Sequence, residues 1–354
     1  MHIRGRLQIC MTKSRGKKDA LSRVLSKTNV LPLLANARKR LRLPLLTTLT
    51  YHRVADIKGD EWFDKETVDV SVAQFDKQLE WVKTHFNCIN TQDLLGFIKG
   101  QGSLPANPCL ITFDDGYLDC LDHALPLLNK HGLQAVFFIS TEYVDKRKVY
   151  WWDRVSYGLM HTQVPHFEMS IPHNARYECG EKTPQTKSKL LRLIKDTRHM
   201  DLNAFLDELF EKLEVPWDAA LEQKLADQLV MTWAQVLEMK HAGMDMQSHT
   251  VTHRVLNTLK PEDLEHELKD SKFLLESNLN AEINTIAYPV GRAIKDSPEI
   301  LETVRKSGYE LGFTNASGHA HLSRSMHRFD IGRLAMDTRL TQARFEAMTT
   351  LPGL

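Results

Sequence analysis

Cys109-Leu110-Ile111-Thr112-Phe113-Asp114-Asp115-Gly116 is the stretch on which the reading of this chain turns, because a short apolar run stops in two carboxylates and a glycine. A run this short, rich in aliphatic and aromatic side chains and closed by turn residues, predicts a strand buried in a sheet. Adjacent residues of an extended chain point to opposite sides, so the two acids should differ in environment and role. One could bind a metal while its neighbour stays free to take a proton. The same residues could instead form only an acidic turn around the permissive Gly116.

Outward from this stretch, Leu45 to Tyr51 reads as the preceding strand, with helices near Val72 to Thr84 and Thr91 to Lys99 between the two. Downstream, Leu118, Leu121, Leu125 and Leu128 recur at helical spacing and predict a helix from Leu118 to His131, stopped by Gly132. Gln134 to Ile139 is then a buried strand. Between Trp151 and Leu229 the alternation fails. A polar segment leads into amphipathic helices around Ser188 to Asp196 and Leu202 to Leu213, the pattern of an inserted helical subdomain over about residues 154–229. Alternation resumes with a helix Thr232 to Ala242, a strand Met244 to Ser248, a helix Glu262 to Asn278 and a strand Asn284 to Tyr288. A helix Pro298 to Ser307 and strands Tyr309 to Phe313 and Ile331 to Met336 complete it. Short strands separated by helices predict an α/β fold with a largely parallel sheet.

Polar groups gather where these strands end. His249-Thr250-Val251-Thr252-His253 follows one strand and sets two imidazoles four apart, on one face if the segment coils. Two histidines and a carboxylate can hold zinc with a position open for water or substrate. In a chain with 16 histidines such a pair could also face solvent, and it is the shared strand-end placement with Asp114-Asp115 that favours ligands. Tyr51-His52-Arg53 and Tyr288-Pro289 close two further strands, and in barrel-like α/β folds the C-terminal strand ends share one face.

Ile111-Thr112-Phe113-Asp114-Asp115-Gly116-Tyr117 and Ser248-His249-Thr250-Val251-Thr252-His253 resemble the first two signature motifs of the polysaccharide deacetylase family. Leu49-Thr50-Tyr51-His52-Arg53-Val54, Trp151-Trp152-Asp153 and Ala287-Tyr288-Pro289-Val290-Gly291 extend the likeness to bacterial deacetylases of exopolysaccharide and lipopolysaccharide assembly. The resemblance runs from about Leu45 to Asp337. It implies a distorted (β/α) barrel spanning residues 45–340, between a basic arm (1–44) and a C-terminal tail (341–354). It also implies removal of an acetyl group from an N-acetylated sugar in a polysaccharide or glycolipid precursor. Asp114 would be the general base, and Asp115, His249 and His253 would hold a divalent metal, zinc foremost. Tyr288 and the backbone NH of Val290 would face the acetyl group, and Trp152 would line a sugar groove or simply pack.

The chain departs from the family pattern twice. A late Leu-x-His motif is not clearly present, although His319, His321 and His327 lie in that region. The resemblance instead assigns the general acid to His52, which could also merely bond the neighbouring loop. The arginine two residues before the proline is replaced by Ala287, so Arg333 or Arg292 is expected to orient Asp114, unless either is a surface ion pair. An amidase acting on a non-sugar acyl amide and a catalytically silent sugar-binding barrel are the competing readings.

Residues 1–43 hold twelve Lys/Arg against the single acid Asp19, a net of +11, while the remainder carries −10. Such an arm could dock on anionic lipid or nucleic acid, or fold back on its own body. Contact with an anionic membrane is the partner expected, and nucleic acid is not. The apolar stretch Val30 to Ala37 carries Pro32 and Asn36 and is too short for a secretory signal. No run approaches the ~18 apolar residues needed to cross a bilayer. A cytoplasmic place, at the inner membrane face, is therefore expected. Five scattered cysteines without a CxxC pair suit reduced thiols, and Met11 is a second possible start.

Overall fold

In the computed structural model, which describes residues 16–59, 61–315 and 318–353, the predicted strands assemble into one mainly parallel sheet that curls almost round on itself. Its body is β1 (Leu45–Tyr51), β2 (Pro108–Phe113), β3 (Val136–Ile139), β4 (Asp245–Ser248), β5 (Thr285–Ala287) and β6 (Leu311–Thr314). Each pairs in parallel with the next. The expected strand Ile331 to Met336 is split. Its halves, β7 (Ile331–Gly332) and β8 (Leu334–Ala335), pair with β6 and β1 respectively, so Arg333 stands alone at the seam that closes the ring. The fold is thus a distorted (β/α) barrel.

A parallel sheet covered on both faces needs apolar side chains on both. Leu46, Leu110, Val136, Phe138 and Phe313 form one buried cluster with Leu94 and Leu95 of the helix Thr91–Ile98. The alternate residues Leu49, Ile111, Phe113, Phe137 and Ile139 belong to a larger cluster under the flanking helices. Period-two alternation therefore assigns the first set to the barrel interior, and it carries that inward row on through Thr112 to Asp114. Each fully buried Leu or Phe contributes about 1.5–3 kcal/mol.

The helix predicted from Leu118 begins later, because Cys120–Ala124 forms a π-helical turn and the α-helix proper is Leu125–His131. Pro126 supplies the reason. Its ring lacks an N–H and would collide with the preceding turn of a helix, so it is accommodated only near a helix start. Between β3 and β4 the chain forms a helix Trp151–His161, a hairpin of His166–Met169 with Ala175–Glu178, and helices Thr183–Asp196, Leu202–Leu213 and Ala219–Leu229. The hairpin lies in the stretch read as merely polar. Its first strand alternates exposed and buried residues over only four positions, too few for periodicity to reveal.

Residues 16–27 are helical, and the helix Val30–Arg40 packs against the C-terminal helix Gln342–Thr350. Arg38 joins them. Its buried guanidinium donates to Thr349 O (3.0 Å), Leu45 O (3.2 Å) and Thr47 Oγ1 (2.7 Å), tying both ends of the described chain to β1. Arg38→Ala strands these acceptors and should lower the unfolding free energy by about 2 kcal/mol or more, measurable by urea denaturation. Residues 1–15, with Arg4, Arg6, Lys13, Arg15 and the alternative start Met11, lie outside the described residues. Among the described residues no helix is long and apolar enough to cross a membrane.

Candidate metal centre

The C-terminal ends of β1, β2 and β4 open on a cavity of about 290 Å³ lined by His52, Asp114, Asp115, His249 and His253. Asp114 ends the inward row of β2, and its N–H donates to Tyr51 O (2.9 Å). Arg333 grips the carboxylate with both amino groups, Nη1 to Oδ1 and Nη2 to Oδ2, each at 2.7 Å. The same guanidinium reaches Thr112 Oγ1 (3.2 Å) and Asn315 Oδ1 (3.1 Å) and lies 5.5 Å from the centre of the Phe138 ring. Burial alone would favour a neutral Asp114. The charge of Arg333 and its hydrogen bonds reverse this and hold the carboxyl well below the usual range, helped by His249 only in the acid range where that ring is protonated. A bidentate fork fixes orientation as well as charge.

Asp115 is held quite differently. The backbone turns through φ values of 79° at Asp115 and 104° at Gly116, so Asp115 leaves the alternation of the strand. Its carbonyl accepts from Ser140 N–H (3.0 Å) and the Tyr150 hydroxyl (3.1 Å), while its Oδ1 is buried with no hydrogen-bond partner among the described residues. Burial pushes this carboxyl up; the charge of His52 opposes the rise and those of Asp114, Asp153 and Asp69 add to it, taking it to about 7.

The two histidines meet through a loop and not through the helical turn their spacing suggested. Thr250 and His253 adopt φ values of 68° and 56°. The cause is Glu267, buried on the helix Pro261–Leu279, which accepts from the N–H groups of Val251 (2.8 Å) and Thr252 (2.9 Å) and from the Thr252 hydroxyl. Backbone donors satisfied by a carboxylate have no need of a helical partner. His249 Nδ1 donates to Ala287 O (2.8 Å), which leaves Nε2 unprotonated toward the cavity. Burial, partly opposed by Asp114, lowers His249 to about 4. His253 is lowered well below the ordinary histidine value, again by burial first and then by the neighbouring His249 and Lys195. Both rings are therefore neutral at physiological pH.

Asp115, His249 and His253 form the one cluster of three such ligating side chains among the described residues. The two Nε2 atoms lie 3.5 Å and 3.4 Å from Asp115 Oδ1. Tetrahedral bonds of about 2.0–2.1 Å would set ligand atoms about 3.3 Å apart. Neutral imidazoles facing a buried carboxylate oxygen without a partner are a donor set that fits a divalent cation.

At the end of β1, His52 Nδ1 lies 3.1 Å from Asp69 Oδ2, and the His52 backbone N–H donates to the same oxygen. Burial by itself favours a neutral ring, but Asp69, followed by Asp115 and Asp114, raises His52 to about 10 even though its side chain is 30% exposed. Asp69 escaped the sequence reading. The available signal was an acid between two valines in the short buried strand Val68–Val70, since an acid is rarely buried without a cationic partner. If protonated His52 is the working form, Asp69→Asn removes its strongest anionic neighbour and lowers its pKa. The alkaline limb of kcat/KM then moves to lower pH by about one unit or more. An unmoved limb in the pH–rate profile would take His52 out of the acid's role.

One sequence expectation needs correction, and for two other residues the structure selects between the alternatives left open. Tyr288 does not face the cavity: Ala287 belongs to the inner cluster, so the next side chain turns to the outer layer, where the Tyr288 hydroxyl donates to Phe329 O (3.1 Å). Arg292 does not orient Asp114 but pairs with Asp196 at the surface. Trp152 does line the cavity but is only 5% exposed, with its ring against Tyr150 and His253 at centroid distances of 4.8 and 4.6 Å. It buttresses the histidine and has no open face for a sugar. Val290, with φ 61°, does line the cavity beside Gly291. His319 and His321 pair with the opposite end of β1, across from Thr47 and Leu45.

Comparison with known proteins points the same way. A family model described as polysaccharide deacetylase matches residues 101–176 and 182–315. The Bacillus subtilis protein YxkH is 23% identical over 290 residues, which are 82% of this chain and 70% of that protein. A poly-β-1,6-N-acetyl-D-glucosamine N-deacetylase of Staphylococcus aureus is 27% identical over 179 residues, 46% of this chain and 60% of that protein, so less than two thirds of its length is matched. The solved structure of the Streptococcus pyogenes deacetylase PplD, in complex with acetate, shares the fold, with a TM-score of 0.56 at 20% identity over 87% of this chain and 99% of that one. Since the family model spans more than half of the sequence and runs through both the aspartate pair and the histidine pair, the chain belongs to the polysaccharide deacetylase family.

Proposed function

We propose that this member of a carbohydrate deacetylase family is a metal-dependent hydrolase that frees acetate from an N-acetylated sugar in a polysaccharide or glycolipid precursor. The observation that carries the reading is an ionised, immobilised Asp114 beside three side chains whose free atoms point at one another. A divalent cation held by Asp115, His249 and His253, zinc by the chemistry of the donors, would supply Lewis acidity to the acetyl carbonyl and to water. Asp114 takes the proton of the attacking water as its oxygen adds to the carbonyl carbon. Arg333 keeps that carboxylate ionised and aimed, at some cost in basicity. His52, charged through Asp69, delivers its proton to the sugar nitrogen as the C–N bond breaks, leaving acetate and a free amine. The backbone N–H of Val290 is the proposed donor to the developing oxyanion. The basic N-terminal segment motivates a place of action in the cytoplasm, at the inner membrane face.

The test is acetate release from N-acetylglucosamine oligomers by protein reconstituted with zinc, with bound metal measured on the same sample. Release that depends on the metal is the expected result. Bound metal with no release from sugars, but release from small N-acyl amides, would replace the substrate half of the proposal. Sugar binding with neither would make the chain a silent barrel.

A further inference from the structure

The described chain exposes nine large apolar side chains, and six of them, Leu21, Val24, Leu33, Leu34, Leu41 and Leu43, fall within the short N-terminal segment. Leu33 and Leu41 are 67% and 71% exposed. Interleaved with them are the exposed Lys17, Arg23, Lys27, Arg40 and Arg42, none of which has a carboxylate partner among the described residues. The inner face of the helix Val30–Arg40 is used by the fold, because Leu31, Ala35 and Arg38 are buried against the body. Its outer side therefore carries Leu33 and Leu34, with Leu41 at the C-cap, as apolar groups that folding leaves unused, beside the positive charge of Arg40 and Arg42.

We propose that this face is a docking surface for an anionic phospholipid bilayer, with the two N-terminal helices lying in the headgroup region and the barrel held above it. Helices with leucines on one side and Lys/Arg on the borders bind membrane interfaces by apolar burial together with attraction to anionic lipid. The charge balance supports that orientation, since the arm carries +11 and the rest of the chain −10, so only the arm is drawn to a negative surface. Other occupants fit less well. A second copy related by two-fold symmetry would bring the basic borders against each other. Residues 1–15 add Arg4, Arg6, Lys13 and Arg15 and no acid, so they have no charge to offer the face. Nucleic acid would use the basic groups but gives the leucines nothing to bury against. The inference is independent of the catalytic reading above.

Cosedimentation of the full chain with phosphatidylcholine vesicles, with and without about one third phosphatidylglycerol, tests it. Partitioning should be about tenfold or more stronger with phosphatidylglycerol and should weaken as salt is raised. Leu33→Ser/Leu41→Ser should weaken vesicle binding about tenfold while leaving the melting temperature and acetate release from soluble N-acetylglucosamine oligomers unchanged. Equal partitioning to neutral and anionic vesicles, no vesicle binding, or binding indifferent to the two serines would each overturn the proposal. So would a dimer in sedimentation that the serines dissolve, which would assign the face to self-association. Vesicle binding without acetate release would leave the docking surface standing and remove the deacetylase reading, and the converse result would separate them the other way.

Discussion

The Asp114→Asn protein is expected to keep its metal and to lose about 100- to 10,000-fold in kcat, the usual contribution of a positioned acid–base group. The metal should stay because Asp115, His249 and His253 are untouched and the amide occupies the same space. The loss is chemical: an amide cannot take the proton of water. A structural penalty accompanies it. Arg333 donates to both carboxylate oxygens, and after the substitution one Nη faces an NH₂ donor in a buried site. A buried cation that loses part of its pairing costs about 1–3 kcal/mol, so the melting temperature should fall measurably while the fold survives. Initial rates, metal content and melting temperature on one preparation separate the two effects. A variant that is destabilised yet fully active would confine the Asp114–Arg333 pair to architecture.

How much of this was legible beforehand depends on what kind of signal each residue leaves. Strands buried on both faces leave dense apolar runs, so Cys109 to Phe113 and Leu45 to Tyr51 could be placed closely, and with them the strand-end positions of Asp114 and His52. The amphipathic helices were legible from a different signal, apolar residues recurring every three or four positions. What stayed hidden was set by tertiary contact. Arg333 and Arg292 are equivalent in sequence, and only closure of the ring at the seam between β7 and β8 brings the first to Asp114. Glu267 reads as one more acid in a charged helix, yet it lies on the buried stripe with Leu264, Leu268 and Leu275 and shapes the histidine loop. The path of the loop was not legible either, because an i, i+4 histidine pair is compatible with a helical turn, whereas the convergence arises from two left-handed residues that leave no mark in composition.

The His249→Ala/His253→Ala protein is expected to lose both bound metal and acetate release, and the reason can be followed without an activity assay. The two Nε2 atoms and Asp115 Oδ1 are three donors within one small volume, and the double substitution leaves only the carboxylate. Any ligand that binds the folded state alone stabilises it, by about 2.7 kcal/mol at a free concentration one hundred times its Kd. Zinc should therefore raise the melting temperature of the wild-type chain and leave that of the double variant unmoved. Without metal the variant should itself melt lower than the wild type, because two buried rings, one of them packed against Trp152, are cut back to alanine, so the comparison is between the zinc-induced shifts of the two proteins. Among the described residues the His249 side chain also gives up its hydrogen bond to Ala287 O. A wild-type chain whose stability ignores zinc would argue against a metal site at these three residues. Stabilisation by zinc that vanishes in the variant, together with acetate release, would tie the site and the reaction to the same atoms.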